Sequence, residues 1–237
     1  MAMIYAGTSG WAYTSWKPKF YPAKLGSANF LNYYASRLNT VEVNYTFRSV
    51  PTGRLLTGWA AATPPDFKFA VKAHQAITHV KRLRDATKLT AEFISSLQPL
   101  AKSRKLGPVL FQLPPNLKCD LDLLEEFLAG LPCQTRAAFE FRHDSWFTDK
   151  VYGLLRKAKA ALCQAESEKL ETPHVQTADF SFLRLRKDSY SIRARKALAK
   201  RVAGLARRGE VYVYFKHEET PEGALHAEAL LAENRRE

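Results

Sequence analysis

The chain contains no apolar run approaching the roughly 20 residues needed to cross a bilayer, and it has only three cysteines, Cys119, Cys133 and Cys163. Their odd number and wide spacing fit neither a disulfide framework nor the paired CxxC of zinc and thioredoxin-like sites, so they read as reduced thiols. A glycine-rich phosphate loop is also missing: GTSGW at 7–11 has neither GxGxxG nor P-loop spacing, which removes the Rossmann and P-loop classes. No internal repeat or low-complexity stretch is found. The opening MAMIYAGTSG lacks the basic region and apolar core of a secretory leader, so a cytoplasmic location with no membrane partner is expected. Acidic residues are in the minority, 23 against 36 Lys and Arg, for a net charge of +13. That excess favours polyanions through steering and counterion release, although solubility alone would also select it.

What is present is alternation. Strand-like segments at 4–10, 40–47, 67–73, 107–114, 137–143, 160–166, 180–186 and 210–216 are separated by amphipathic stretches with apolar residues at three and four spacing. Eight such units predict an α/β fold, a single TIM-type (β/α)8 barrel over residues 1–237. The sixth unit, 166–179, has no convincing helix and is expected to be irregular. The connection 47–66, with Pro51, Pro64 and Pro65, reads as a long loop able to cover the barrel mouth.

The most informative stretch is AAFEFRHDSW, 137–146, a strand that carries charges where a core should have none. Alternation puts Ala138, Glu140 and Arg142 on one face and Phe139, Phe141 and His143 on the other. Glu140 and Arg142 are then aimed the same way, about 7 Å apart. Charges buried in this manner are either paired in a network or line a pocket. Applied to every strand, the same period aims Ser9, Glu42, Asn44, Thr46, Lys72, Gln112, Glu140, Arg142, Arg184, Arg186, Tyr212, Tyr214 and Lys216 inward near the C-terminal ends, where barrel enzymes keep their sites.

Glu42 and Glu140 are the acid and base candidates, with Glu42 as proton donor and Glu140, beside Arg142, as base. The alternative is that both carboxylates only hold the barrel interior together. Lys72, Arg142, Arg184 and Lys216 suit an anion, with Asn44, Gln112 and Tyr214 as polar contacts. Trp11, with Tyr13, Trp16 and Tyr21 in the same loop, is a candidate stacking platform. His79, in the basic stretch KAHQAITHVKRLRD, is a candidate phosphate contact or general acid. No cofactor is predicted; a divalent metal is left open, with Glu42, His79, Glu140, His143 and His217 as the available ligands but no local motif.

Taken together, GTSGWAYTSWKPKFYP, VEVNYTFRSVP, TPPDFKFAVKAHQAITHVKRL, GPVLFQLPP, EFRHDSW, FLRLR and VYVYFKHEETPEGALHAEAL resemble the uncharacterised family called domain of unknown function 72, or YecE-like. The resemblance runs from residue 7 to about 230 and implies a TIM-type barrel with a pocket at the strand ends and no established activity. The chain departs from the family's pattern at RLRKD, 184–188, where an RLHG-like motif is usual, at His226, where Asn is frequent, and in the sixth strand, which lacks the usual Asp followed by Ser and Pro. The leading functional expectation is an enzyme acting on a phosphorylated or nucleotidic anionic substrate. The alternatives are a nucleic-acid-binding or repair-nuclease-like protein and a non-catalytic binding protein.

Overall fold

Short β-rich segments, followed in all units but the sixth by apolar-faced helices, can bury both faces by curling the sheet inside a helical layer. The computed structural model, which describes residues 2–166, 170–187, 189–216 and 220–234, has that arrangement. Strands β1 (Ile4–Thr8), β2 (Thr40–Val43), β3 (Lys68–Lys72), β4 (Leu106–Gln112), β5 (Ala137–Glu140), β6 (Ala161–Ala165), β7 (Phe180–Leu185) and β8 (Glu210–Phe215) form one parallel sheet in the order β1-β8-β7-β6-β5-β4-β3-β2. Helices α1 (Phe30–Arg37), α2 (Gly53–Ala61), α3 (Thr87–Ser96), α4 (Gln98–Lys102), α5 (Leu121–Ala129), α6 (Asp149–Lys157), α7 (Ile192–Ala206) and α8 (Glu222–Asn234) surround it. No described helix is long and apolar enough to cross a membrane.

The ladder stops between β1 and β2, and side chains close the gap. The Asn39 amide donates to Ile4 O at 2.8 Å and accepts from Ala6 N at 2.9 Å, while Tyr34 Oη accepts from Thr8 N and donates to Thr40 O, both at 2.9 Å. These bonds satisfy edge groups that would otherwise stay open. The two strands approach so closely here that a Cβ on Gly7 would lie 2.0 Å from Thr40 O.

The two faces of the sheet divide as alternation requires. Val41, Val43, Phe69, Val71, Phe111, Phe139, Phe141, Leu183 and Val213 pack outward against the helices. Tyr5, Ala70, Leu110, Ala138, Cys163, Phe182, Tyr212 and Tyr214 form the separate interior core. At its N-terminal end Tyr5 stacks on Tyr212 at 4.7 Å, and Arg136 lies over Phe180 while pairing with Glu210. Charge at that end is therefore neutralised within the fold.

Two expectations change. The segment 40–47 does not continue as a strand: it ends at Val43 and turns through a 3-10 helix, Tyr45–Phe47. Thr46 consequently points away from the barrel axis and donates to Val43 O and Lys72 O. The supposed loop 47–66 contains α2, whose short apolar face buries Leu56 and packs the half-buried Trp59 and Ala60 against the core. Thr52 caps its start, accepting from Leu55 N, and Lys105 closes its end with bonds to Ala60 O and Thr63 O at 2.6 Å. Between β6 and β7, residues 170–179 form no helix, in keeping with the irregular sixth unit.

Candidate functional site

The C-terminal mouth of the barrel is built around one guanidinium. Arg184, at the end of β7 and 3% exposed, donates through Nη2 to Glu42 Oε1 at 2.6 Å and through Nη1 to Glu140 Oε2. Register explains the convergence: Gln112 lies beside Glu140, and Glu42, Glu140 and Arg184 all take inward positions. The Gln112 amide donates to Glu140 Oε2 at 2.9 Å, and Arg142 Nε donates to Glu140 Oε1 at 3.0 Å. Ser9 Oγ and Asn44 Nδ2 donate to Glu42 Oε1 at 3.0 and 3.2 Å. Glu42 Oε2 is buried without a partner.

These contacts fix the charge of one carboxylate. Burial opposes ionisation of Glu140, but Arg184, Arg186 and Arg142 together outweigh it and hold the group well below the usual carboxylate range. Cys163 lies in the interior core below, and burial pushes its thiol well up.

Above this cluster opens a cavity of about 600 Å³ lined by Ser9, Asn44, Lys72, Gln112, Arg142, Arg184 and Arg186. The turn after β2 supplies the remaining wall, with Tyr45, Phe47, Arg48 and Ser49. Lys72 Nζ stands 3.9 Å over the Phe47 ring and has neither a hydrogen bond nor an ion pair among the described residues. Burial lowers its pKa to about 8, with Arg184 and Arg142 adding to the fall and Glu42 and Glu140 opposing it. The ring favours the ammonium by about 0.5–1 kcal/mol, less than one pKa unit at about 1.4 kcal/mol each, so the amine stays easier to deprotonate than an ordinary lysine. Arg186 likewise lacks an anionic partner among the described residues, and its Nε is buried and unbonded. Burial and then Arg184 lower its pKa. The site thus holds five cations, Arg48, Lys72, Arg142, Arg184 and Arg186, against two carboxylates that are already engaged.

Of the residues singled out in the sequence, Ser9, Glu42, Asn44, Lys72, Gln112, Glu140, Arg142, Arg184 and Arg186 come together here. Others do not. Trp11 packs edge-on against Trp59 at 5.2 Å, and its carbonyl accepts from Tyr21 Oη, so it does not line the cavity. Trp16 and Tyr21 belong to a buried aromatic cluster with Phe20 and Phe30 and form no platform. Tyr214 lies inside the barrel, bonded to Thr40 Oγ1 at 2.8 Å, and Tyr212 bonds Arg136 and Glu210 near the opposite end. Lys216 is exposed beyond the end of β8 and is not part of the cavity wall. His79 meets the edge of the Phe47 ring at 4.9 Å on the ring that carries Lys72 and does not itself line the cavity. Burial and Lys72 lower its pKa.

His143 is turned to local work, its Nδ1 accepting from Ser145 N at 3.2 Å at the start of the 3-10 helix Asp144–Trp146. His226 packs against the rings of Tyr190 and Phe215. Among the described residues no group of three His, Cys, Asp or Glu could hold a metal ion. His217, one of the metal candidates, lies outside the described residues, as does Asp188. Phe47 and Arg48 were not foreseen, since they enter from a turn that follows no strand period; a cation beside an aromatic after a strand was the available signal.

Comparison with known proteins gives a consistent relationship. A family model described as "Protein of unknown function DUF72" matches residues 5–237. The protein YunF of Bacillus subtilis is 33% identical over 160 residues, covering 63% of this chain and 54% of the relative. YecE of Escherichia coli K12 is 32% identical over 146 residues, covering 61% and 50%. The matched segments thus span about half the length of these relatives. A crystal structure of a DUF72 family protein from Thermotoga maritima superposes with a TM-score of 0.87 at 29% identity, covering 98% of this chain and 99% of that one.

Proposed function

This chain belongs to the DUF72 family, and from the charge arrangement at its barrel mouth we propose that it is an enzyme acting on a small phosphorylated substrate, nucleotides included. One observation carries the reading: five cations line an open cavity above two carboxylates that are already occupied. The uncompensated charge, about three with five cations against two carboxylates, is enough to take a phosphate monoester, which carries about −1.5 to −2 at neutral pH. Arg142 and Arg186 would grip the phosphoryl oxygens in forked geometry, with Asn44 and the Gln112 carboxamide beside them. The carboxylates then take different parts from those first assigned. Glu140, held ionised by its arginines, is a weak base and serves to aim Arg142 and Arg184. Glu42, paired with Arg184 through one oxygen and unbonded at the other, becomes the proton acceptor in place of its donor role.

The test compares thermal shifts with sugar phosphates and mononucleotides against the parent sugars and nucleosides. Phosphorylated ligands should raise the melting temperature in proportion to occupancy. Arg186→Gln should weaken them at least tenfold, the scale of one charge-assisted hydrogen bond at about 1.5–3 kcal/mol. Equal shifts with and without phosphate would overturn the reading. Binding of phosphorylated ligands that are never turned over would leave a non-catalytic binding protein.

A nucleic-acid reading has its own support. Arg193, Lys196, Lys200 and Arg207 are exposed along α7 and its end at spacings of three, four and seven, which places them on one face. That stripe suits phosphates of a polynucleotide in a manner indifferent to sequence. It lies on the outer helical layer, apart from the cavity.

A further inference from the structure

We propose that Lys72 is a nucleophile that condenses with a carbonyl group of a phosphorylated aldehyde or ketone held at the barrel mouth. This names the substrate class of the site above and rests on the phosphate reading. The geometry sets Lys72 apart from the other cations. Arg184 and Arg142 are tied to carboxylates, and a guanidinium cannot deliver a neutral amine. Lys72 Nζ faces the cavity from β3, covered on one side by the Phe47 ring at 3.9 Å, with no hydrogen bond or ion pair among the described residues. With no carboxylate bonded to it to hold the ammonium charged, and with desolvation and neighbouring cations against that charge, the amine is placed as a nucleophile.

The groups bearing on its charge are Glu42 on β2, Glu140 and Arg142 at β5, Arg184 on β7, and His79 across the same ring. Burial and the two arginines prevail, bringing the amine to about 8, where a useful fraction is neutral near pH 7.

The step balances without a further reactant. The neutral nitrogen adds to the carbonyl carbon, the C–O bond breaks, and the oxygen leaves as water carrying both amine protons. The resulting imine nitrogen then takes one proton from solvent, giving a cation that can withdraw electrons from the adjoining carbon. Arg186 and Arg142 would hold the phosphate meanwhile, fixing the carbonyl against Nζ.

Pyridoxal 5′-phosphate is the probe, since it is a phosphorylated aldehyde whose lysine imine absorbs visibly and is fixed by borohydride. The intact chain is treated with it or with unphosphorylated pyridoxal, reduced, and mapped by peptide mass. Lys72 should be labelled at least tenfold faster than any other lysine, with a pH midpoint near 8, and inorganic phosphate should slow the labelling. Lys72→Arg should lose the label while retaining the thermal shift given by inorganic phosphate. If pyridoxal 5′-phosphate raises the melting temperature of both proteins but labels only surface lysines, Lys72 is not the nucleophile and the phosphate reading survives alone. If pyridoxal labels Lys72 as fast as its phosphate ester and inorganic phosphate gives no protection, the phosphate reading fails and the proposed substrate class with it.

Discussion

Arg184 on β7 donates to Glu42 on β2 at 2.6 Å across the barrel interior, joining residues 142 positions apart in the chain. A pair so deeply buried gains little over an apolar isostere, but losing one partner leaves a charge stranded. The same guanidinium also holds Glu140, so the three side chains stand or fall as a unit.

The first prediction concerns that unit. Glu140→Gln should destabilise the protein by about 3–5 kcal/mol, because Arg184 and Arg142 lose their counter-charge. Denaturant unfolding measures the loss. Glu140 has a depressed pKa in the fold, so its contribution is complete above the ordinary carboxylate value and is lost as pH falls through that value toward the folded one. The gap between wild type and variant should therefore narrow in acid. A gap that widens on acidification would contradict the assigned direction.

Lys72 has the opposite energetics. Its ammonium is partly dry and uncompensated, so Lys72→Met should raise stability by about 1–3 kcal/mol at neutral pH while abolishing imine formation. A lysine with a lowered folded pKa binds fewer protons than the unfolded chain between about 8 and its ordinary value of 10.5. Wild-type stability consequently rises through that window, and the advantage of methionine shrinks. Unfolding free energies at pH 7 and 10 check both the sign and the window.

The barrel and much of its mouth were legible because a strand's two-residue period is a property of the backbone. It placed Glu42, Gln112, Glu140, Arg142 and Arg184 on the interior face without knowledge of their partners. Depth along the axis has no such signature. Tyr214 shares the face of Lys216 and Tyr212, yet its hydroxyl is spent inside the barrel on Thr40. Lys216 lies past the last paired residue of β8, where alternation ceases to bind. Trp11 was misplaced for a different reason: an aromatic after a glycine turn can face ligand or core, and only Trp59, distant in sequence, decides it. Lys105 carries no sequence mark of its place either, yet the fold buries its amine at the end of α2.

The β1–β2 seam yields a third prediction. Asn39→Leu keeps the volume but strips the bonds to Ala6 N and Ile4 O, at a cost of about 1–3 kcal/mol for the stranded groups. Hydrogen exchange at Ala6 should accelerate by more than at amides of β4 and β5, since the barrel opens first where its ladder is already interrupted. Uniform acceleration throughout the sheet would show that the seam is no weaker than the rest.

The last prediction separates the two anionic surfaces. Reversing charge at Arg193, Lys196, Lys200 and Arg207 to glutamate should abolish weak duplex binding and remove its salt dependence, which for each phosphate neutralised contributes a log-log slope of about −0.9. These residues lie on the outer helix, so small phosphorylated ligands should still shift the melting temperature. Arg142→Ala with Arg186→Ala should give the converse, sparing duplex binding and losing the small ligand. The double dissociation is the decisive pattern, because charge alone would make both variants lose some of each. Should the pocket variant instead lose single-stranded or nicked DNA while intact duplex is unaffected, a nucleotide extruded into the cavity becomes the better account of its cations. The outer stripe would then hold the flanking backbone, and the two surfaces would serve one ligand.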